Sequence, residues 1–224
     1  MKMIVGCAAL ALTAGAAMAD FTEGFEANPL TLPGWAFSNQ SNPSSGAGAW
    51  FLGNNNVFGP NSGNQYVGSN WQRGSGVSTL SCWMMTPEVT LTNGDVLSFY
   101  TRTVSAVQFP DRMQVRMSTA GSSTNTGTSA TDVGDFSTLL LDVNSAYSPT
   151  GYPNAWTQYV ITVSGLSGSV QGRFAFRYFV EDGGPSGNNS DYIGIDDVDF
   201  KQIPAPASLA LMGVGALAAG RRRR

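Results

Sequence analysis

The sequence predicts an all-β fold: a jelly-roll β-sandwich flanked by an N-terminal signal helix and a short C-terminal transmembrane helix. Three observations predict it. Several segments alternate apolar and polar residues with the two-residue period of a half-buried strand. Glycine, serine, threonine and asparagine are abundant, helix-forming Glu, Lys and Gln are scarce, and this composition suits short strands joined by turns. Unbroken hydrophobicity is confined to one brief stretch at each terminus.

At the N-terminus Lys2 precedes a run of mostly small apolar residues from Met3 to Ala16, closed by Ala17-Met18-Ala19. A positive start, an apolar middle and an A-x-A end describe a secretory signal over 1–19. Cleavage at Ala17 and Ala19 leaves Asp20 as the first mature residue.

Residues 20–201 form the expected domain. In Arg112 to Met117, Met113, Val115 and Met117 face one way and Arg112, Gln114 and Arg116 the other. In Arg173 to Val180, Phe174, Phe176, Tyr178 and Val180 line one face, opposite Arg173 and Arg177. Val96 to Thr103 and Thr157 to Val163 are rich in aromatic and β-branched residues. Further strands are expected at Phe21–Phe25, Tyr66–Ser69, Leu80–Met85, Phe136–Leu141 and Tyr192–Ile195. Turn signals separate them at Asn93-Gly94-Asp95, Ser167-Gly168 and Gly183-Gly184-Pro185. Residues 39–64 and 119–134 read as long polar loops, the second too polar to bury and flexible. About ten strands without βαβ alternation indicate the jelly roll.

The C-terminal segment 202–224 begins with Pro204-Ala205-Pro206, continues through apolar residues Ala207 to Gly220, and ends with Arg221, Arg222, Arg223 and Arg224. A helix over the apolar part measures about 21 Å, shorter than the ~30 Å hydrocarbon core. Snorkelling arginines and bilayer thinning make up the difference, and the arginines favour the cytoplasmic side. The prolines isolate this tail from the domain. Such a segment reads as a temporary tether in the inner membrane.

Charge excludes several partners. Between residues 20 and 206 seven basic residues face fifteen acidic ones, a net charge of −8. An acidic domain with one lysine, Lys201, is suited neither to nucleic acid nor to anionic lipid. The mature chain keeps only Cys82, which rules out an internal disulfide and a thiolate metal cluster. The sequence has no histidine, which removes Ser-His-Asp and Cys-His catalysis and His-ligated zinc.

The order of Pro-x-Pro, short apolar helix and terminal arginine cluster resembles the PEP-CTERM sorting signal of Gram-negative bacteria. The resemblance implies recognition and removal by an exosortase, often in bacteria that make exopolysaccharide. The family's middle residue is usually Glu, where this chain has Ala205. Within the domain, Gly24-Phe25-Glu26 and Gly34-Trp35 open the pattern. Trp83-Met84-Met85-Thr86-Pro87 and Leu97-Ser98-Phe99-Tyr100-Thr101-Arg102 follow, and Asp191-Tyr192-Ile193-Gly194-Ile195-Asp196-Asp197-Val198 closes it. Together these resemble the choice-of-anchor J domain, which is similar to cleaved-adhesin and MAM-type jelly rolls.

That resemblance implies a structural calcium shared between the first and last strands, with Glu26 and Asp196 or Asp197 as ligands beside Asn or backbone oxygens. Calcium takes six to eight such oxygens. The bland alternative pairs Glu26 with an arginine and lets the aspartates cap a turn. The loop from Glu181 to Asp191 offers oxygen donors for an ion or a sugar, or simply joins two strands. Trp50, Phe51, Trp71 and Tyr152 are candidate glycan contacts, with burial in the core as the competing role; Trp35, Trp83 and Trp156 are assigned to the core. Arg112, Arg116, Arg173 and Arg177 are expected as two cationic rows on outer strand faces, neutralised by neighbouring acids.

The expectation is therefore an exported, non-enzymatic protein of the cell surface or extracellular matrix, using the secretion machinery and an exosortase, with exopolysaccharide or surface proteins as partners. The alternatives are a carbohydrate hydrolase using a carboxylate pair, such as Asp196 or Asp197 with Glu181 or Asp191, and a purely structural envelope component.

Overall fold

A computed structural model describes residues 20–203. The signal helix with Ala17 and Ala19, and the membrane helix with Pro204, Ala205, Pro206 and Arg221–Arg224, lie outside the described residues. Within them no helix is long and apolar enough to cross a membrane.

Thirteen strands follow one another through the described residues. They are β1 (Phe21–Glu23), β2 (Ala36–Asn39), β3 (Asn42–Ser44), β4 (Phe51–Leu52), β5 (Val67–Asn70), β6 (Gly74–Met85) and β7 (Val89–Leu91), followed by β8 (Val96–Thr103), β9 (Met113–Ser118), β10 (Thr138–Val143), β11 (Thr157–Thr162), β12 (Val170–Gly183) and β13 (Tyr192–Lys201). One sheet runs β11-β8-β13-β5-β4, with β1 added beside β13. The other runs β10-β9-β12-β6-β2, with β3 on β6 and β7 on β12. Every pairing is antiparallel. Sequential neighbours repeatedly fall in different sheets, the jelly-roll pattern.

The period-two alternation places the core. Met113, Val115 and Met117 of β9 and Phe174, Phe176, Tyr178 and Val180 of β12 all point inward and are buried. From the opposite sheet Leu97 and Phe99 of β8 meet them, and the Phe99 and Phe176 rings cross edge-to-face at 4.9 Å. Such ring pairs add about 1 kcal/mol to the burial itself. Cys82 lies in this core, as a small hydrophobe whose thiol burial pushes up to about 11.

Three expectations are corrected. The segment 39–64 is not all loop: it carries β3 and β4, short edge strands of sequence Asn-Pro-Ser and Phe-Leu, too brief to show alternation. The arginine rows are not on open faces. Arg177 is buried because residues 119–136 fold over the outer side of the second sheet, and Arg173 is buried where it reaches the Gly34 and Thr86 carbonyls. Nor is that segment too polar to pack: Phe136 rests on the Trp83 ring at 5.7 Å, and Arg177 pins the loop from below. The Arg177 guanidinium lies over Trp83 and Phe179, 4.7 and 3.9 Å from their centroids. It donates to Ser81 Oγ at 3.0 Å, to the Asp132 carbonyl at 3.2 Å and to the Ala130 carbonyl. Burial without a paired carboxylate pulls its pKa down to about 9. Arg112 follows the expectation, pairing with Asp142 at 2.7 Å and Glu181 at 3.2 Å.

β1 and β13 bring the two ends of the domain together. Phe21 registers with Phe200, and the Gln202 amide donates to Asp20 Oδ1 at 2.8 Å.

Candidate functional site

Two features gather polar side chains away from the core: an acidic clasp at the middle of β13 and a cleft at its start.

The clasp depends on a bulge. In a regular strand Asp196 and Asp197 face opposite sides of the sheet. The register of β13 on β8 shifts between Asp196 and Asp199, and Asp197 takes a left-handed conformation with φ 48°. Both carboxylates consequently reach the same loop. Asp196 Oδ2 accepts the amides of Asn61 at 2.8 Å and Ser62 at 3.2 Å. Asp197 accepts from Asn61 Nδ2 at 2.8 Å and Ser62 Oγ at 2.6 Å. Glu26 holds the next residues, both its oxygens 3.0 Å from the Asn64 amide. Gly63 is required between them, since a Cβ there would stand 1.8 Å from Glu26 Oε1. Burial and the neighbouring Asp197 charge, the first the larger, push Asp196 up to about 6.

Neither bland role foreseen for these acids is seen, as Glu26 meets a backbone amide and the aspartates clasp a distant loop. Carboxylate oxygens such as those of Asp196 and Asp197 are of the kind calcium takes, but Asn61 and Ser62 turn N–H and O–H groups toward them. Glu26 stands apart from them: among the described residues no three acidic or sulfur side chains converge closely enough to hold a metal ion.

The cleft is built around Trp71. Asn70, at the end of β5, caps a single 3-10 turn, Trp71–Arg73, its side chain accepting the Gln72 amide at 3.2 Å. The Trp71 amide donates to the Asp191 carbonyl at 3.0 Å, fixing the turn beside the start of β13. The indole is 37% exposed and divides two depressions. One, of about 270 Å³, lies toward Phe109, Pro185 and Ser190. The other, of about 340 Å³, lies toward Phe51, Asn54, Asn70 and Arg73. Trp71 and Asp191 line both, and Asp191 is the one acid among the described residues that lines either.

A buried acid anchors the cleft floor. Asp111 accepts the Thr103 hydroxyl at 2.5 Å, the Tyr178 hydroxyl at 2.5 Å and the Asp191 amide at 2.7 Å. Burial pushes its carboxyl up to about 6. The turn above is held by Ser190 Oγ, which accepts the Gly184 amide at 2.9 Å. On the other side the Asn54 amide donates to the Tyr192 hydroxyl at 2.8 Å. The walls are thus fixed by the sandwich, while Trp71 and Phe109, 43% exposed, offer free aromatic faces.

Of the aromatic candidates, Trp71 stands in the cleft and half-buried Phe51 lines it. Trp50 and Tyr152 do not reach it. Trp50 is 1% exposed, with its indole donating to the Cys82 carbonyl at 3.1 Å. Tyr152 is 3% exposed, its hydroxyl 2.7 Å from Thr101 Oγ1. Both rings complete the core because each finds a buried partner for its polar atom. Trp83 is buried as expected; Trp35 and Trp156 are half-buried at its margins. The sequence reading missed Phe109, Asn70 and Arg73, which lie far from Asp191 in sequence. The polar residues flanking Trp71, together with the Asn cap, were the available signal.

The comparisons now bear on both ends. Residues 202–224 match the model of the PEP-CTERM protein-sorting motif. The chain carries a PEP-CTERM sorting motif. The PEP-CTERM tail indicates export and sorting to the cell surface, and it matches despite Ala205. No curated protein matches the chain in sequence. Among solved structures, the K1 cleaved adhesin domain of Lys-gingipain from Porphyromonas gingivalis W83 superposes with a TM-score of 0.56 at 20% identity, covering 84% of this chain and 100% of that one. The K3 domain of the same protein gives 0.51 at 19%, covering 80% and 95%. The K2 domain gives 0.51 at 19%, covering 83% and 99%. At these identities the likeness establishes the fold, a cleaved-adhesin jelly roll, in agreement with the choice-of-anchor J resemblance.

Proposed function

We propose that this PEP-CTERM protein is a non-enzymatic surface protein whose jelly roll binds exopolysaccharide through the Trp71 cleft. Its tail holds it briefly in the inner membrane, an exosortase processes it, and the domain then remains at the cell surface or in the surrounding matrix. The observation that carries the reading is the exposed Trp71 ring between two depressions walled by amides and one carboxylate. A sugar ring offers an apolar face and a rim of hydroxyls; an indole covers the first, while Asn54, Asn70 and Asp191 meet the second.

The topology supports this arrangement. The cleft lies at the first residue of β13 and the sorting tail leaves after its last, ten residues away, or about 30 Å of extended chain. A tethered domain therefore presents the cleft away from its anchor. A lone carboxylate in the cleft also argues against glycoside hydrolysis, which uses two.

A structural calcium remains part of the proposal on a narrower set, the carboxylates of Asp196 and Asp197, where it would take the place of the hydrogen bonds from Asn61 and Ser62.

The test is affinity electrophoresis of the full-length chain through gels containing polysaccharide from its own host. Retardation of the wild type and free migration of W71A are expected, with no new reducing ends released. Equal migration of both with and without polysaccharide would overturn the reading.

A further inference from the structure

Resting on the cleft reading above, we infer that the ligand is an acidic polysaccharide, bound across Trp71 with a uronate carboxylate paired to Arg73. Two observations lead there: the shape of the cleft and the state of its arginine.

The shape suits a ligand longer than one sugar. The two depressions share Trp71 and Asp191 as a common wall, and each is close to the lower limit of roughly 300 Å³ for small-molecule sites. A chain that uses both must run over the indole, with one unit toward Phe109 and the next toward Phe51.

The arginine gives the second unit its chemistry. Arg73 lines the depression on the Phe51 side, its guanidinium 4.9 Å from the Phe51 centroid. One nitrogen, Nη1, donates to the Gly48 carbonyl at 2.9 Å, while Nε is buried without a partner. Among the described residues no carboxylate pairs with it, although the domain is strongly acidic. Other arginines are used up within the fold. Arg112 pairs with two acids and Arg177 is consumed by buried carbonyls; Arg173 donates to the Gly34 and Thr86 carbonyls and, although its Nε is also unpartnered, it lines neither depression. Partial burial disfavours the Arg73 cation and pulls its pKa down. A half-desolvated cation without a counter-ion gains more from an arriving carboxylate than a solvated one does, and with Nε buried and Nη1 held by the Gly48 carbonyl, Nη2 is the group left to meet it. Asp191, also half-buried and pushed up, makes no ion pair with Arg73 and remains free to accept sugar hydroxyls.

The experiment is calorimetric titration of the full-length chain with oligogalacturonate, oligomannuronate and oligoguluronate, each beside its carboxyl-reduced counterpart. At least one acid form is expected to bind about tenfold more tightly than its reduced form, the value of one charge-assisted contact. R73Q should abolish that preference, weakening the acid form about tenfold more than the reduced form. R73K, which keeps the charge, should retain part of it. W71A should weaken both forms alike. Equal affinity of the wild type for acid and reduced forms would overturn the uronate assignment and leave the cleft reading standing. An acid preference that survives in R73Q would overturn the role of Arg73. Binding to none of the six would overturn the inference, while retardation by host polysaccharide would still uphold the cleft.

Discussion

The Trp71 amide donates to the Asp191 carbonyl at 3.0 Å, so the turn that carries the indole is fastened to the strand that carries the carboxylate. Beneath them Asp111 accepts the Asp191 amide, together with hydroxyls from β8 and β12. Residues from four distant parts of the chain are thereby held in one wall, and an aromatic ring left exposed there is preorganised for a ligand.

Trp71→Ala should separate binding from folding. Removal of the half-exposed ring is expected to cost about 1 kcal/mol of stability and to lower polysaccharide affinity by at least about thirtyfold, as for a central aromatic anchor. Trp50→Ala, in the core, should instead cost about 3 to 5 kcal/mol. Thermal melts paired with gel retardation check both expectations.

Arg177→Ala should release the covering loop. The variant leaves the Ala130 and Asp132 carbonyls without their donor and opens a gap between Trp83 and Phe179. A loss of about 2 to 4 kcal/mol is expected. New protease cleavage should appear within 119–136, where the wild type resists. Resistance equal to the wild type would show that the loop holds without its pin.

Stability should decline as pH rises through the window between about 4 and 6. An exposed aspartate titrates near 3.9, whereas burial raises the Asp111 carboxyl to about 6. The folded state therefore holds a proton that the unfolded chain gives up, and the advantage is lost by the upper end of the window. For Asp111 the upper bound is roughly 3 kcal/mol. Asp196 contributes in the same direction. Burial raises Asp191 as well, and Asp111→Asn removes one of the three groups, so its melting temperature should change less between pH 4 and 6.5 than that of the wild type. Parallel slopes would contradict the assignment.

Calcium is tested by its removal. If Asp196 and Asp197 hold the ion, a calcium chelator should lower the melting temperature of the wild type and leave that of D196N/D197N unchanged. A wild type indifferent to the chelator would remove calcium from the account, and the clasp would stand on its hydrogen bonds alone.

What the sequence made legible followed from periodicity. The inward faces of β9 and β12 were readable because Met113, Val115, Met117 and Phe174, Phe176, Tyr178, Val180 repeat every second residue. The short edge strands β3 and β4 were not, since two or three residues carry no period. The convergence of Asp196 and Asp197 was hidden because it depends on a bulge, which reverses the facing that alternation implies. Arg177 looked solvent-facing for the same kind of reason: alternation assigns a side to a residue, and only the long-range packing of Phe136 on Trp83 reveals that the side is covered. Trp50 and Trp71 were equivalent in sequence, each an aromatic in loop-like surroundings. The Cys82 carbonyl, a long-range partner for one of them, decided which was buried.

The most direct test uses the five tryptophans as reporters. In a two-dimensional NMR titration of the indole N–H signals with host polysaccharide fragments, Trp71 should shift with saturation while Trp50 and Trp83 stay fixed. Saturable shifts centred on Trp35 or Trp156, or a Trp71 signal unmoved by any fragment, would contradict a binding site at this cleft.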